Sequence, residues 1–181
     1  LSLSTNDISD RSSSYFDSEE SLTVYEIVNA FEYASYDDDV EIVFLDLSYI
    51  NISSAAAFEV GKSIQLLRNN GKKVIAYGDF LTQSQYLLAS YAEEVILNPF
   101  GMVFLEGFKK YQIYLKDFLD NNNIVVNTFV AGEYKSATEI FSESKMSDQD
   151  RLQSKIFLSN LWENWLKEIT NNRLSLNIDI N

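Results

Sequence analysis

Apolar positions along the chain alternate between two periods, and each switch marks a new element. Val24, Ile27, Val28, Phe31 and Tyr33 recur three and four residues apart, which predicts a helix beginning near Leu22 with Thr23 as its N-cap. Asp37-Asp38-Asp39 ends that helix; their spacing does not fit a calcium loop, so they read as a solvated turn. Val40–Leu47 is then nearly all apolar, as expected of a strand buried on both faces of a parallel sheet. Ser54 is placed to cap a second helix reaching about Asn70, where Gly71 supplies a left-handed stop. Lys73–Gly78 predicts a second buried strand, to lie beside and parallel to Ile42–Leu47 at the centre of the sheet. Gln85–Tyr91 predicts a short helix, and Glu94–Leu97 a third strand ending at Asn98-Pro99.

Beyond that point the pattern gives a short strand at Met102–Leu105, a helix over Tyr111–Leu119, a turn at Asn121-Asn122-Asn123 and a strand over Ile124–Ala131. A long amphipathic helix follows from Asp148 to about Asn172, with Ser147 as N-cap and Asp148 and Asp150 matching the positive end of its dipole. Its apolar set is Leu152, Ile156, Phe157, Leu161, Trp162, Trp165, Leu166 and Ile169. The two tryptophans read as core or interface residues rather than a ligand shelf, and much of this face is expected to be exposed in an isolated monomer. Strands alternating with helices through compact connections define an α/β class with a parallel sheet. Residues 1–21, rich in Ser, Asp and Glu, read as a loose leading segment, and 22–181 as a single domain.

Composition then removes chemistries. The chain has 181 residues, with 27 acidic against 14 basic side chains and a formal charge of -13, which argues against a nucleic-acid partner. It has no cysteine and no histidine, so disulfides, thiol nucleophiles, Ser-His-Asp triads and the usual zinc ligands are all absent. No phosphate-binding or dinucleotide glycine pattern occurs, and no cofactor or metal is implied. Hydrolysis would have to run on carboxylates, Lys, Tyr, Ser or Thr. No apolar run of about 18 residues occurs, so no span is read here, and Leu1 in the first position suggests a processed piece whose upstream anchor would be invisible.

The informative stretch is Phe129–Phe141, in which an expected strand ends at Gly132 and Lys135 falls at the mouth of a new helix. Two readings fit the spacing. Lys135 is either an exposed lysine beside Glu133 and Glu139, or a general base whose pKa is pushed down by partial burial and a helix dipole.

Gly132-x-Tyr134-Lys135-Ser136-Ala137-x-Glu139-x-Phe141 resembles the lysine motif of the signal peptide peptidase A (protease IV) family, peptidase family S49. Tyr25–Ala30, Gly61-Lys62-x-Ile64, Gly71–Ala76, Gln85–Ser90 and Leu161-Trp162-x-Asn164 resemble its amino-terminal repeat in the same order, covering roughly residues 22 to 174. The resemblance implies a crotonase/ClpP-like fold and a catalytic role for Lys135 as base toward a serine carried on a second repeat, of the same or a neighbouring chain. It also implies peptide substrates (cleaved signal peptides), a membrane-anchored homo-oligomer, tetrameric in the family, and a catalytic part outside the cytoplasm. Gln83 stands where the serine-bearing repeat has its nucleophile, and Ser84 is one place off. The loop Ser48–Ser53 has no glycine, so an oxyanion hole is not expected here. Two other readings remain: a non-catalytic scaffold repeat, and acyl-CoA hydratase or isomerase chemistry on the wider crotonase fold, against which the glycine-poor loops weigh.

Overall fold

The computed structural model describes residues 22–127 and 138–173. Within them lie six helices and three strands: α1 (Val24–Tyr36), β1 (Ile42–Asp46), α2 (Ser54–Asn69), β2 (Lys73–Leu81), α3 (Gln83–Ser90), β3 (Glu94–Val103), α4 (Lys116–Asn121), α5 (Glu139–Ser142) and α6 (Asp148–Asn172). They cluster as two compact units, one comprising the residues up to Glu106 and those from Trp165 on, the other Gly107–Asn164.

The first unit holds a parallel sheet of order β1-β2-β3. Strands β1 and β2 are adjacent and parallel as expected, with Val43 opposite Val74 and Leu45 opposite Ala76. The central place among the described strands belongs to β2, and β1 is at the edge. Helices α2 and α3 pack on β2, and α1 packs on α2. Val43, Leu45, Val74 and Ala76 point into this layer and are buried, as are Ile27, Phe31, Ile64 and Leu67 from the helices. This is the α/β class with a parallel sheet, flanking helices and a long terminal helix.

The expectation that β1 is buried on both faces is not met. Val43 and Leu45 are buried, but Ile42 and Phe44 are 56% and 42% exposed. A continuous apolar run satisfies either a two-sided burial or, as here, one covered face and one open one, so the run alone does not count the layers. Tyr33 is likewise exposed, on the outer side of α1.

Local chemistry explains most element boundaries. The Thr23 hydroxyl accepts from the Glu26 amide at 3.2 Å while the Glu26 carboxylate accepts from the Thr23 amide at 2.8 Å, a reciprocal cap that starts α1. The N-cap of α2 is Ser53, one residue before the expected Ser54; its hydroxyl takes the Ala56 amide. Gly71 ends α2 at φ 81°, a conformation that suits a residue without Cβ.

Strand β3 is a single strand where two short ones were expected. Its ladder runs Gly78 opposite Leu97 and then Phe80 opposite Met102, so several residues of β3 bulge out against Asp79 alone. Pro99 falls in that bulge, where its missing N–H costs no ladder bond. Gly101 is required there, because a Cβ would overlap the Asp79 carbonyl.

In the second unit, the helix expected over Tyr111–Leu119 begins only at Lys116. Tertiary bonds hold the preceding segment instead: Lys110 reaches Asp150 and Ser154, and the Leu115 amide donates to the Ile140 carbonyl at 2.7 Å. Aromatic and β-branched residues at 111–114 add little helical preference to oppose them. Asn123, at φ 55°, completes the expected asparagine turn. Residues 124–127 take no strand, and the rest of the strand expected to Ala131 lies outside the described residues.

Candidate functional site

Lys135, the candidate base, lies outside the described residues, as do Glu133 and Tyr134. Two polar clusters lie among the described residues, one in each unit.

The first is the carboxyl end of the parallel sheet, where loops and helix starts collect. Asp46 closes β1, and its carboxylate accepts the Ser48 amide at 3.0 Å, which turns the chain. The Ser48 hydroxyl takes the Asp79 amide at 3.2 Å, tying the turn to the end of β2. Helix α3 opens with Thr82 as N-cap in a reciprocal cap with Gln85. Gln85 is buried, and it does more than cap. Its Nε2 donates to the Leu47 carbonyl at 2.9 Å and to the Ile50 carbonyl at 2.6 Å, while its Oε1 accepts from Thr82. One side chain thus fastens the β1–α2 loop to the start of α3.

Gln83 and Ser84 occupy the first turn of α3. The Ser84 hydroxyl lies 2.9 Å from that of Ser54, in the first turn of α2. Two helix starts therefore meet through a hydroxyl pair. Toward the end of β2, the Tyr77 hydroxyl donates to Asp79 Oδ1 at 2.6 Å, and Asn98 Nδ2 donates to the same oxygen at 2.8 Å. These two hydrogen bonds, that of Tyr77 foremost, hold the Asp79 carboxyl below its ordinary range. The bond to Asp79 raises the Tyr77 hydroxyl in return. Asp79 is a fixed anion and a poor base.

The second region lies just past Lys135 in sequence. Glu139 opens α5, and its two carboxylate oxygens both face Ser147: Oε1 accepts from the hydroxyl at 2.7 Å and Oε2 from the amide at 3.3 Å. Ser147 is the N-cap of α6, as expected, and its hydroxyl oxygen accepts the Asp150 amide at 3.1 Å. The Ser144 hydroxyl donates to Asp117 Oδ1. Asp150 is buried, and Lys110 Nζ sits 2.9 Å from its Oδ1 and 2.9 Å from the Ser154 hydroxyl. That serine and lysine are close, yet the lysine is paired with a buried carboxylate. It is a tether. The Tyr114 hydroxyl is pushed up, by burial first and then by Asp150 and Glu139.

Along α6 the two tryptophans behave differently. Trp165 is buried, with its ring 6.4 Å from that of Tyr86, and Trp162 meets Phe108 edge-on at 6.5 Å. No helix among the described residues is long and apolar enough to cross a membrane.

The sequence reading missed Gln85 and the Lys110–Asp150–Ser154 cluster. Gln85 carried one signal, the Thr82-x-x-Gln85 spacing of a reciprocal cap, which marks a helix start but says nothing of the loop its amide reaches. Lys110 and Asp150 are 40 residues apart and carried none.

Comparison with known proteins bears on these regions directly. The chain is 33% identical to Protease 4 of Haemophilus influenzae over 153 residues, which is 84% of this chain and 25% of that protein. It is 34% identical to Protease 4 of Salmonella typhi, over 83% of this chain and 25% of that protein. Over 90% of its length it is 24% identical to the chloroplastic serine protease SPPA of Arabidopsis thaliana, covering 24% of that protein. The chain thus spans about a quarter of the length of the relatives it matches. The profile described as peptidase family S49 matches residues 67–179, a stretch that holds the lysine motif, Gln85 and the Glu139–Ser147 pair. By that match, which covers more than half of its residues, the chain belongs to peptidase family S49.

Proposed function

We propose that this chain is the lysine-donating part of a serine–lysine endopeptidase that degrades signal peptides after their release, with the nucleophilic serine carried on another repeat. The observation that carries the reading is the motif Gly132–Phe141 inside the stretch matched to the peptidase family. In this reading neutral Lys135 takes the proton from the serine hydroxyl as its oxygen attacks the peptide carbonyl. The resulting ammonium returns a proton to the departing amine.

Three features support the division of labour. Ser84, the hydroxyl nearest the nucleophile position, is engaged with Ser54. The Leu47 and Ile50 carbonyls are drawn inward by Gln85, in a loop without glycine, which favours a wall over an oxyanion hole. Glu139, four residues past the lysine, has both carboxylate oxygens occupied by Ser147. A free carboxylate beside the ammonium would raise its pKa and spoil the base.

The reading extends to a membrane-anchored homo-oligomer, tetrameric, acting on the extracytoplasmic side; family likeness is its support. The test is made in the complete protein and in this chain alone, with a fluorogenic peptide. Lys135→Ala in the complete protein should abolish turnover by orders of magnitude with folding unchanged, since an unassisted serine is a weak nucleophile. The chain alone should cleave nothing. Full activity in the Lys135→Ala protein, or Lys135-dependent cleavage by the isolated chain, would overturn the proposal.

A further inference from the structure

We infer that the outer edge of β1 is a docking edge, to which an extended segment of the same polypeptide from outside residues 1–181 adds a strand. The inference is independent of the role of Lys135, since every residue it uses lies in the first unit.

Backbone direction comes first. The Glu41 carbonyl accepts the Lys73 amide at 3.0 Å, and the Leu47 amide donates to the Tyr77 carbonyl at 2.8 Å. Every second residue of a parallel strand bonds the same neighbour, so Val43 and Leu45 also face β2. The N–H and C=O groups of Ile42, Phe44 and Asp46 therefore face outward, and no strand pairs with them among the described residues. Apolar surface flanks this edge on both sides. On the open face of the sheet Ile42 and Phe44 are exposed, the Phe44 ring stacked at 6.3 Å on that of Tyr77. On the helix side a groove of about 420 Å³ lies between α1 and β1. Phe31, Ala34, Val40 and Val43 line it, together with exposed Asp39 and Glu41. An added strand would meet apolar surface with both of its faces.

Natural edge strands are blunted by charge, proline, a bulge or brevity, because bare N–H and C=O groups recruit other chains. At the opposite edge of the described sheet, β3 carries both Pro99 and a bulge. Strand β1 carries neither. Ile42-Val43-Phe44-Leu45 is uncharged and apolar, and its register with β2 is unbroken from Ile42 to Asp46. Such a run left bare is an aggregation site, so its cover is a permanent one. That argues against a peptide substrate, which comes and goes. It argues against a second copy as well, since each copy has a formal charge of -13 and would bring its own Asp39, Glu41 and Asp46 to the same short edge. The lysines there are already engaged, Lys72 with the Asp37 carbonyl at 2.6 Å and Lys73 with Glu94 at 3.2 Å. A strand of the same polypeptide has neither defect. The length for it exists in the relatives, of which this chain spans about a quarter, and tethering holds such a strand at high effective concentration.

The experiment uses the complete protein. Residue-resolved hydrogen exchange compares the outward amides of Ile42 and Phe44 with those of Val43 and Leu45, which bond β2. All four should exchange about a hundredfold or more slower than in an unstructured chain, as amides do that open only with the core. Fast exchange at Ile42 and Phe44 beside slow exchange at Val43 and Leu45 would overturn the inference, because the edge would then be bare. The cover is identified by replacing Ile42 or, separately, Phe44 with the photoreactive p-benzoylphenylalanine. Irradiation should join that side chain to a segment outside residues 1–181, in a product that runs at monomer mass on a denaturing gel. A product of twice that mass means a second copy, and a join within residues 1–181 means that this chain covers its own edge. Either result overturns the inference, as does capture of an added signal peptide alone or the absence of any product from both positions. If neither variant folds, the exchange comparison on the unaltered protein carries the test.

Discussion

Gln85 holds Ile50 by its carbonyl at 2.6 Å across 35 residues of sequence, and both residues are buried. The same amide group takes the Leu47 carbonyl, so one side chain serves two backbone acceptors of buried residues. Gln85→Ala should leave the Ile50 carbonyl without this donor and the Leu47 carbonyl with the Ile50 amide at 3.3 Å, at a cost of about 1–3 kcal/mol, the range for a buried unsatisfied group. Gln85→Glu should be comparably harmful, since a carboxylate cannot donate to a carbonyl. Urea unfolding of the chain checks both. A change under about 0.5 kcal/mol, the range of ordinary surface substitutions, would show that the loop does not depend on this residue.

Gly61 of α2 lies directly against the ring of Tyr91, the residue that caps the end of α3. A Cβ on Gly61 would overlap the Tyr91 ring, which is 1% exposed and has nowhere to retreat. The Tyr91 hydroxyl donates to Glu168 Oε1 at 2.7 Å, which fixes the ring at its far end as well. Burial, then that bond, pushes the hydroxyl well above its ordinary range. Gly61→Ala should therefore destabilise by about 1–3 kcal/mol, the range for overpacking, in spite of alanine's better helix propensity. The propensity gain of about 1 kcal/mol is the smaller effect. Thermal unfolding of Gly61→Ala decides which wins, and a rise in Tm would mean that the ring can move.

These two contacts show what a sequence discloses and what it does not. Gly71 was legible as a helix stop because its reason is local: a left-handed backbone angle beside the last turn. Thr23 and Ser147 were legible as caps for the same reason, their partners lying three residues on. Ser54 was misassigned by one place because Ser53 and Ser54 are chemically equivalent caps and only the backbone chooses. Gly61 appeared in a motif without a physical reason, since its partner is 30 residues away. The lysine motif could be recognised by likeness, but the occupant of Glu139 could not. Glu139 stood beside Lys135 in the sequence, and its carboxylate is spent on Ser147.

Asp79 and Glu26 give a pH dependence with a definite sign. Hydrogen bonds to Tyr77 and Asn98 lower the Asp79 carboxyl, and those to the Thr23 amide and hydroxyl lower Glu26. A carboxyl lowered on folding contributes stability that is fully present above its unfolded pKa and is lost as pH falls through the folded one. Both contributions should therefore be constant at neutral pH and disappear in the acid range below about pH 4, the ordinary carboxylate region. Tyr77→Phe should move Asp79 back up toward its ordinary value, because it removes the larger of the two causes. Carbon-13 NMR titration of the Asp79 carboxyl reads this directly, and an unmoved midpoint would show that Asn98 alone sets it.

The two halves of α6 make a final, internal comparison. Leu152, Ile156 and Phe157 are 59%, 54% and 60% exposed, whereas Trp165, Leu166 and Ile169 are 5%, 6% and 1% exposed. The sequence assigned all six to one apolar face, because periodicity marks a stripe without saying where along it a neighbour lies. Truncation should separate them cleanly. Ile169→Ala removes a fully buried side chain and should cost about 2–5 kcal/mol. Ile156→Gln should change stability by no more than about 0.5 kcal/mol, since little packing is lost at an exposed position. The same exposed residues should make the isolated chain prone to associate or to bind a hydrophobic dye. Ile156→Gln combined with Phe157→Gln should reduce both without lowering Tm. If that double variant instead unfolds at a lower temperature, in a chain shown to be monomeric by sedimentation, this half of α6 is packed in solution, and the division of the helix into a buried and an open half is wrong.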